Sequence, residues 1–342
     1  MNKTRKTALL IVLSMVLLSL FLLSGCGVLD SVMNHPDSDT QTSQPSQTFQ
    51  SPPSSEQGTE SPSSGTATAP LVTVPEILVP TASGVSVEEN GKAVVDYSNK
   101  QDGYIMAKYT ESTDLKIKLL LTVPDGVQYT YSIQPGSGFE VFPLSGGNGT
   151  YEIGIFRQVE DTRYSMVLST TIDVTLVDEF APFLRPNQYV NFNKNSTAVR
   201  KAAELTAGID DFMEKVAAIY HFVINNISYD MELAETVQSG YLPDIDEVLR
   251  RGKGICFDYA ALMAAMLRSQ SIPTKLVIGY TGDVYHAWIS VYSKENGWLD
   301  DVIFFDGQTW RLVDPTFAAN GSSQAVASFI GDGANYTVKF MH

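Results

Sequence analysis

The sequence predicts a multidomain protein in which an all-β sandwich precedes an α+β domain. Two observations carry this. Between Gly84 and Val177 the apolar residues recur with period two, and turn sequences interrupt them at short intervals. After Asn195 the recurrence becomes helical, and from Thr274 it returns to period two. A third observation sets apart what comes first. Residues 35–70 are dominated by Ser, Thr, Pro and Gln, with Phe49 the only large apolar side chain and no Lys or Arg. Such a segment cannot offset the entropy of ordering.

The amino terminus carries Lys3, Arg5 and Lys6, then an apolar run from Ala8 to Leu23. That run is short for a membrane span, which needs roughly 20 residues, and suits the apolar core of an export signal. It ends Leu23-Ser24-Gly25-Cys26, which resembles a bacterial lipobox. The expectation is a lipoprotein signal peptide over 1–25, lipidation of Cys26, and a disordered tether over 26–80. A flexible tether of this kind reaches about 35–40 Å. The predicted location is the cell membrane, lipid-anchored on its extracytoplasmic face. Formal net charge is −15, and loss of the three leading basic residues leaves 20 basic against 38 acidic, or −18. No basic stripe remains for phosphates, so nucleic acid is excluded as a partner. Two cysteines rule out a disulfide-rich scaffold and a zinc ribbon, and four histidines leave little material for a multi-histidine metal site.

The β-domain is expected over 84–178, without helices. Ala93–Tyr97, Tyr104–Ala107, Leu115–Leu119, Tyr129–Ile133, Tyr151–Phe156 and Met166–Val177 read as strands. Asn90-Gly91, Pro124-Asp125-Gly126, Pro135-Gly136 and Gly146–Gly149 read as turns. An immunoglobulin-like (Ig-like) topology rests on strand count alone, since the stretch has neither a cysteine pair nor a tryptophan. It carries no catalytic constellation and reads as a spacer or recognition module. The α+β domain is expected over 190–342, after a proline-bearing stretch from 178 that should stay extended. Its first helices are Thr197–Leu205, one capped by Asp210 or Asp211, and a short one from Ile245 to Gly252. His221, on the second, reads as a surface or core-edge residue.

Chemistry concentrates further on. Lys253-Gly254-Ile255-Cys256 is a glycine-bearing turn that delivers a cysteine to the start of an Ala- and Leu-rich helical run. Free N–H groups and the dipole at a helix start stabilise a thiolate, and can donate to an oxyanion formed beside the sulfur. Ser271-Ile272-Pro273 ends the helix, and Thr274–Tyr280 reads as a strand. Tyr285–Tyr292 is a second strand, in which His286, Trp288 and Ser290 share one face and Ala287, Ile289 and Val291 the other. Trp310–Val313 is a third, running into Asp314-Pro315. A cysteine nucleophile needs a base, and the base needs an acceptor to fix its tautomer.

Gly254-Ile255-Cys256 opening a helix, His286-Ala287-Trp288 in a strand and Asp314-Pro315-Thr316-Phe317 follow in order at spacings of 30 and 28 residues. In this the region from Val216 to Phe317 resembles the transglutaminase-like superfamily, whose core is a papain-like helix packed on an antiparallel sheet. The resemblance implies Cys256 as nucleophile, His286 as base and acid, and Asp314 as orienting residue. It implies Tyr229 as the oxyanion candidate. The segment Glu295–Asp306, with Trp298 and Phe304-Phe305, exceeds the shortest members and should form a hairpin extension near the site. The implied chemistry is thioester formation on amide bonds, needing no metal and no cofactor. Proteins or peptides at the cell surface are the expected substrates. An amine as second nucleophile gives transamidation, and water gives deamidation or hydrolysis. The alternative is a non-catalytic binding or adhesion module on a degenerate fold of the same type.

Overall fold

A computed structural model describes residues 72–300, 303–305, 310–312 and 336–342. The expected signal peptide, Cys26 and most of the tether lie outside the described residues, as does Asp314. Pro70–His342 form one compact unit.

Its first part is rich in strands: β1 (Val87–Glu89), β2 (Ala93–Asp96), β3 (Tyr104–Tyr109), β4 (Ile117–Thr122), β5 (Gln128–Ile133), β6 (Glu140–Pro143), β7 (Gly149–Glu160) and β8 (Arg163–Val174). They make two antiparallel four-stranded sheets, ordered β1-β2-β3-β6 and β5-β4-β7-β8. Alternation drives the burial. In β4, Ile117, Leu119 and Leu121 are buried while Lys118, Leu120 and Thr122 are less so. Inward residues of both sheets share one core, with Ile105, Phe142, Leu119 and Tyr131 among them. One turn of 3₁₀ helix at Lys100–Asp102 interrupts the stretch expected to lack helices; Gly103, left-handed, closes it. The proline-bearing connection also departs from its expected extended form at Ala181–Phe183, a 3₁₀ turn that Pro182 tolerates in its first positions.

The second part is led by helices: α1 (Thr197–Leu205), α2 (Phe212–Asn226), α3 (Met231–Thr236), α4 (Ile245–Arg251) and α5 (Cys256–Arg268). Asp211, not Asp210, caps α2 by accepting from the Glu214 N–H at 2.9 Å. Strands β9 (Ser228–Tyr229) and β10 (Lys253–Gly254) form a short parallel pair. The remaining strands are β11 (Thr274–Thr281), β12 (Val284–Ser293), β13 (Gly297–Leu299), β14 (Ile303–Phe305), β15 (Trp310–Leu312) and β16 (Tyr336–Met341). The main sheet runs β13-β12-β11-β16, and β14 pairs with β15. The expected extension is therefore two pieces: β13 folds back on β12, and β14 joins β15. Trp298 packs against Phe183 at 5.2 Å and beneath Lys275 at 3.8 Å, so it fastens the interdomain connection to the sheet.

Helix α5 is buried on every side from Asp258 to Arg268, as an Ala- and Leu-rich helix apolar all round should be. Beneath it lie Leu276, Ile278, Ala287, Ile289 and Val291 of β11 and β12, in a core with α1 and α2. Tyr189 and Phe340 pack against both this core and the strand-rich one.

Candidate active site

Cys256 is the first residue of α5 and is half-buried. Its turn is held by a buried acid. Asp258 is 0% exposed; its carboxylate accepts from the Ile255 N–H at 2.8 Å and from the Tyr241 hydroxyl at 2.7 Å. Burial raises the Asp258 pKa, and these two donors oppose the rise. Burial first, then the bonded Asp258, push the Tyr241 hydroxyl well up. Gly254 is needed for close approach: a Cβ there would lie 2.6 Å from the Asp258 Cβ. Alanine at 254 would therefore displace either the acid or the turn.

The β9–β10 pair brings a distant residue to this turn. Tyr229 is in register with Gly254, two residues before Cys256. Flanking bonds lock the register: Ser228 N–H to the Gly252 carbonyl and Asp230 N–H to the Gly254 carbonyl, each 2.9 Å. Asp230 is 3% exposed, caps α3 through the Leu233 N–H, and meets Arg251 and Lys253. The Leu233 bond and then these cations hold its pKa low. The Tyr259 hydroxyl donates to the Ile227 carbonyl at 2.6 Å, tying α5 to the segment that carries Tyr229.

His286 lies in β12 and is 4% exposed. Its face is the expected one. Ala287, Ile289 and Val291 enter the core with α5, while His286 stacks on Trp288 with centroids 6.2 Å apart. Ser290 donates to Asp300 at 2.9 Å. Gly279 stands opposite His286. A Cβ on it would fall 2.0 Å from the Thr337 carbonyl and 2.9 Å from the Trp288 ring. Glycine thus admits both β16 and the indole that backs His286.

Residues 199–300 match the family model of the transglutaminase-like superfamily. They form a transglutaminase-like domain. The match contains Tyr229, Cys256 and His286 and ends before Asp314. Over 118 residues the chain is 30% identical to the uncharacterized protein YebA of Bacillus subtilis, a stretch that is 29% of this chain. Over 108 residues, 31% of this chain, it is 29% identical to the mouse kyphoscoliosis peptidase. Each match takes in 16% of the relative's own length. Among solved structures, the periplasmic domain of TgpA from Pseudomonas aeruginosa is similar at 17% identity and a TM-score of 0.30, over 68% of this chain and 72% of that one.

Three residues of the transglutaminase-like domain were not singled out from sequence. Asp258 and Tyr241 set the turn before Cys256, and only the capping position of Asp258, two residues into the helix, could have signalled it. Tyr285 was passed over beside His286. The residue is 59% exposed, yet partial burial of its hydroxyl raises the pKa, and Tyr280 and Cys256 add to the rise, which puts Tyr285 within electrostatic reach of the thiol.

Proposed function

We propose that this protein is a cysteine acyltransferase or hydrolase acting on amide bonds of proteins or peptides outside the cytoplasmic membrane. Cys256 is the nucleophile, His286 the base and acid, and Asp314 the residue that orients the imidazole. The observation that carries this reading is Cys256, half-buried, at the start of a helix buried from Asp258 onward inside the transglutaminase-like match. A sulfur there meets substrate at the helix end that has unsatisfied N–H groups.

The thiolate adds to the carbonyl carbon, and the tetrahedral intermediate expels the amine as His286 gives it a proton. The product is a thioester. Water or a second amine then attacks, the sulfur leaves, and the acyl group ends on oxygen or nitrogen. Tyr229 donates to the oxyanion; its register beside Gly254 supports that role. The name of the mouse relative, a peptidase, supports peptide amides as substrates. Two four-stranded sheets around a shared core support an Ig-like sandwich acting as spacer or recognition module. Lipidation at Cys26 anchors the chain, and loss of lipid labelling in Cys26→Ser checks it.

The test of the enzyme is to trap the acyl-enzyme. Wild type incubated with surface or wall extracts should gain an acyl mass on Cys256, readable by mass spectrometry. Cys256→Ala should gain none and lose essentially all turnover. Turnover that survives in Cys256→Ala would refute the enzyme and favour a binding module.

A further inference from the structure

Where the strand-rich part meets the main sheet of the transglutaminase-like domain there is a cavity of about 120 Å³. Tyr129 and Thr130 line it from β5; Ile278, Tyr285 and Phe340 line it from β11, β12 and β16; Tyr189 and His342 complete the described lining. Among the described residues the lining holds no Asp, Glu, Lys or Arg. His342 is 3% exposed and shares a 3.0 Å hydrogen bond between its Nδ1 and the Tyr131 hydroxyl. Burial, with Arg268 nearby, lowers its pKa to about 3, so its imidazole is uncharged at neutral pH.

The cavity adjoins Cys256: Tyr285, on the strand face opposite His286, lies within electrostatic reach of the thiol, and Phe257 follows Cys256. The Phe257 ring meets Tyr189 edge-on at 5.2 Å. This cleft therefore lies beside the turn that presents the thiol.

We propose that this cleft is a specificity subsite that receives an uncharged apolar side chain, about the size of leucine's, from the substrate whose amide Cys256 attacks. The proposal rests on the cysteine-enzyme reading above. Its size follows from volume: a cavity of roughly 150 Å³ lined by apolar side chains accommodates benzene, so this one suits a branched aliphatic chain and takes a single ring at its limit. Its selectivity follows from desolvation. A carboxylate or ammonium would lose its water here, and Arg268, behind His342, already donates to three backbone oxygens. Because Tyr129 belongs to the strand-rich part, that part contributes directly to substrate choice.

The test uses the full chain and capped peptidyl electrophiles that alkylate Cys256 and differ in one side chain, Ala, Leu or Asp, at each position flanking the electrophile. Every labelling rate is divided by that of iodoacetamide on the same protein, which reports the thiol without the cleft. At one position Leu should exceed Ala and Asp by about 10–100-fold. Thr130 also lines the cavity, from an exposed site on β5. Thr130→Trp should fill the cleft and bring Leu down to the Ala rate. Equal ratios for Leu and Ala in wild type, or a Leu preference that survives Thr130→Trp, overturn the subsite while leaving the nucleophile intact. A Cys256 that iodoacetamide does not alkylate removes the enzyme reading, and the subsite with it.

Discussion

The two ends of helix α5 bury opposite charges by opposite means. At the start, the Asp258 carboxylate is held by one N–H and one phenol. At the end, Arg268 is 3% exposed and donates to three carbonyls, of Thr274 at 2.9 Å, Arg185 at 2.8 Å and His342 at 2.6 Å. The signs suit the helix dipole, anion at the amino end and cation at the carboxyl end. Burial lowers the Arg268 pKa to about 9, so it remains charged at neutral pH. The difference lies in reach. Asp258 organises a local turn, whereas Arg268 joins the connection from the strand-rich part, the start of β11 and the residue after β16. One end shapes a site and the other holds the assembly.

This contrast breaks most visibly at Arg268. Arg268→Ala leaves the Arg185 and Thr274 carbonyls without their buried donor and should cost about 4 kcal/mol, read as a lower urea midpoint. Little loss there would show that the carboxyl end is not the clamp. At the amino end, a change should touch rate and spare stability. Tyr229→Phe should slow turnover about 10²–10³-fold if its hydroxyl serves the oxyanion, with an unaltered midpoint. An unchanged rate would remove Tyr229 from the reaction.

Acid should separate the ends more gently. His342 has a folded pKa of about 3 against an ordinary 6.5, so below 6.5 the unfolded chain takes up the proton first. Its contribution is complete above pH 6.5 and is lost as pH falls toward 3, at up to about 1.4 kcal/mol per unit. By pH 4.5 the loss approaches ~2–3 kcal/mol. Asp258 works the other way, because its raised pKa makes the folded state favour the protonated acid. His342→Phe should flatten the acid side of the stability curve; an unchanged slope would assign it to other groups.

What the sequence makes legible follows the range of each interaction. Gly254-Ile255-Cys256 before an Ala- and Leu-rich run announces a helix start because the signal is local. The alternation of His286, Trp288 and Ser290 fixes a strand face for the same reason. Tyr229 is reachable only through family resemblance, since its partner is the backbone at Gly254. Arg268 gives no warning at all: its acceptors, at 185, 274 and 342, are carbonyls that any residue supplies. β16 is faint in the sequence although Tyr336, Val338 and Phe340 alternate, because its pairing partner is the distant edge of β11.

That last strand has a consequence for the order of assembly. β16 closes the β11 edge, Phe340 packs against both cores, and His342 meets Tyr129, Tyr131 and Tyr189. A chain emerging amino end first can complete β1–β8 early. The transglutaminase-like domain must wait, with the β11 edge unpaired, until residues 336–342 have emerged. Folding of this domain therefore depends on residues 336–342, and their loss would open the β11 edge of the thiol-bearing part while leaving the pairings of β1–β8 intact.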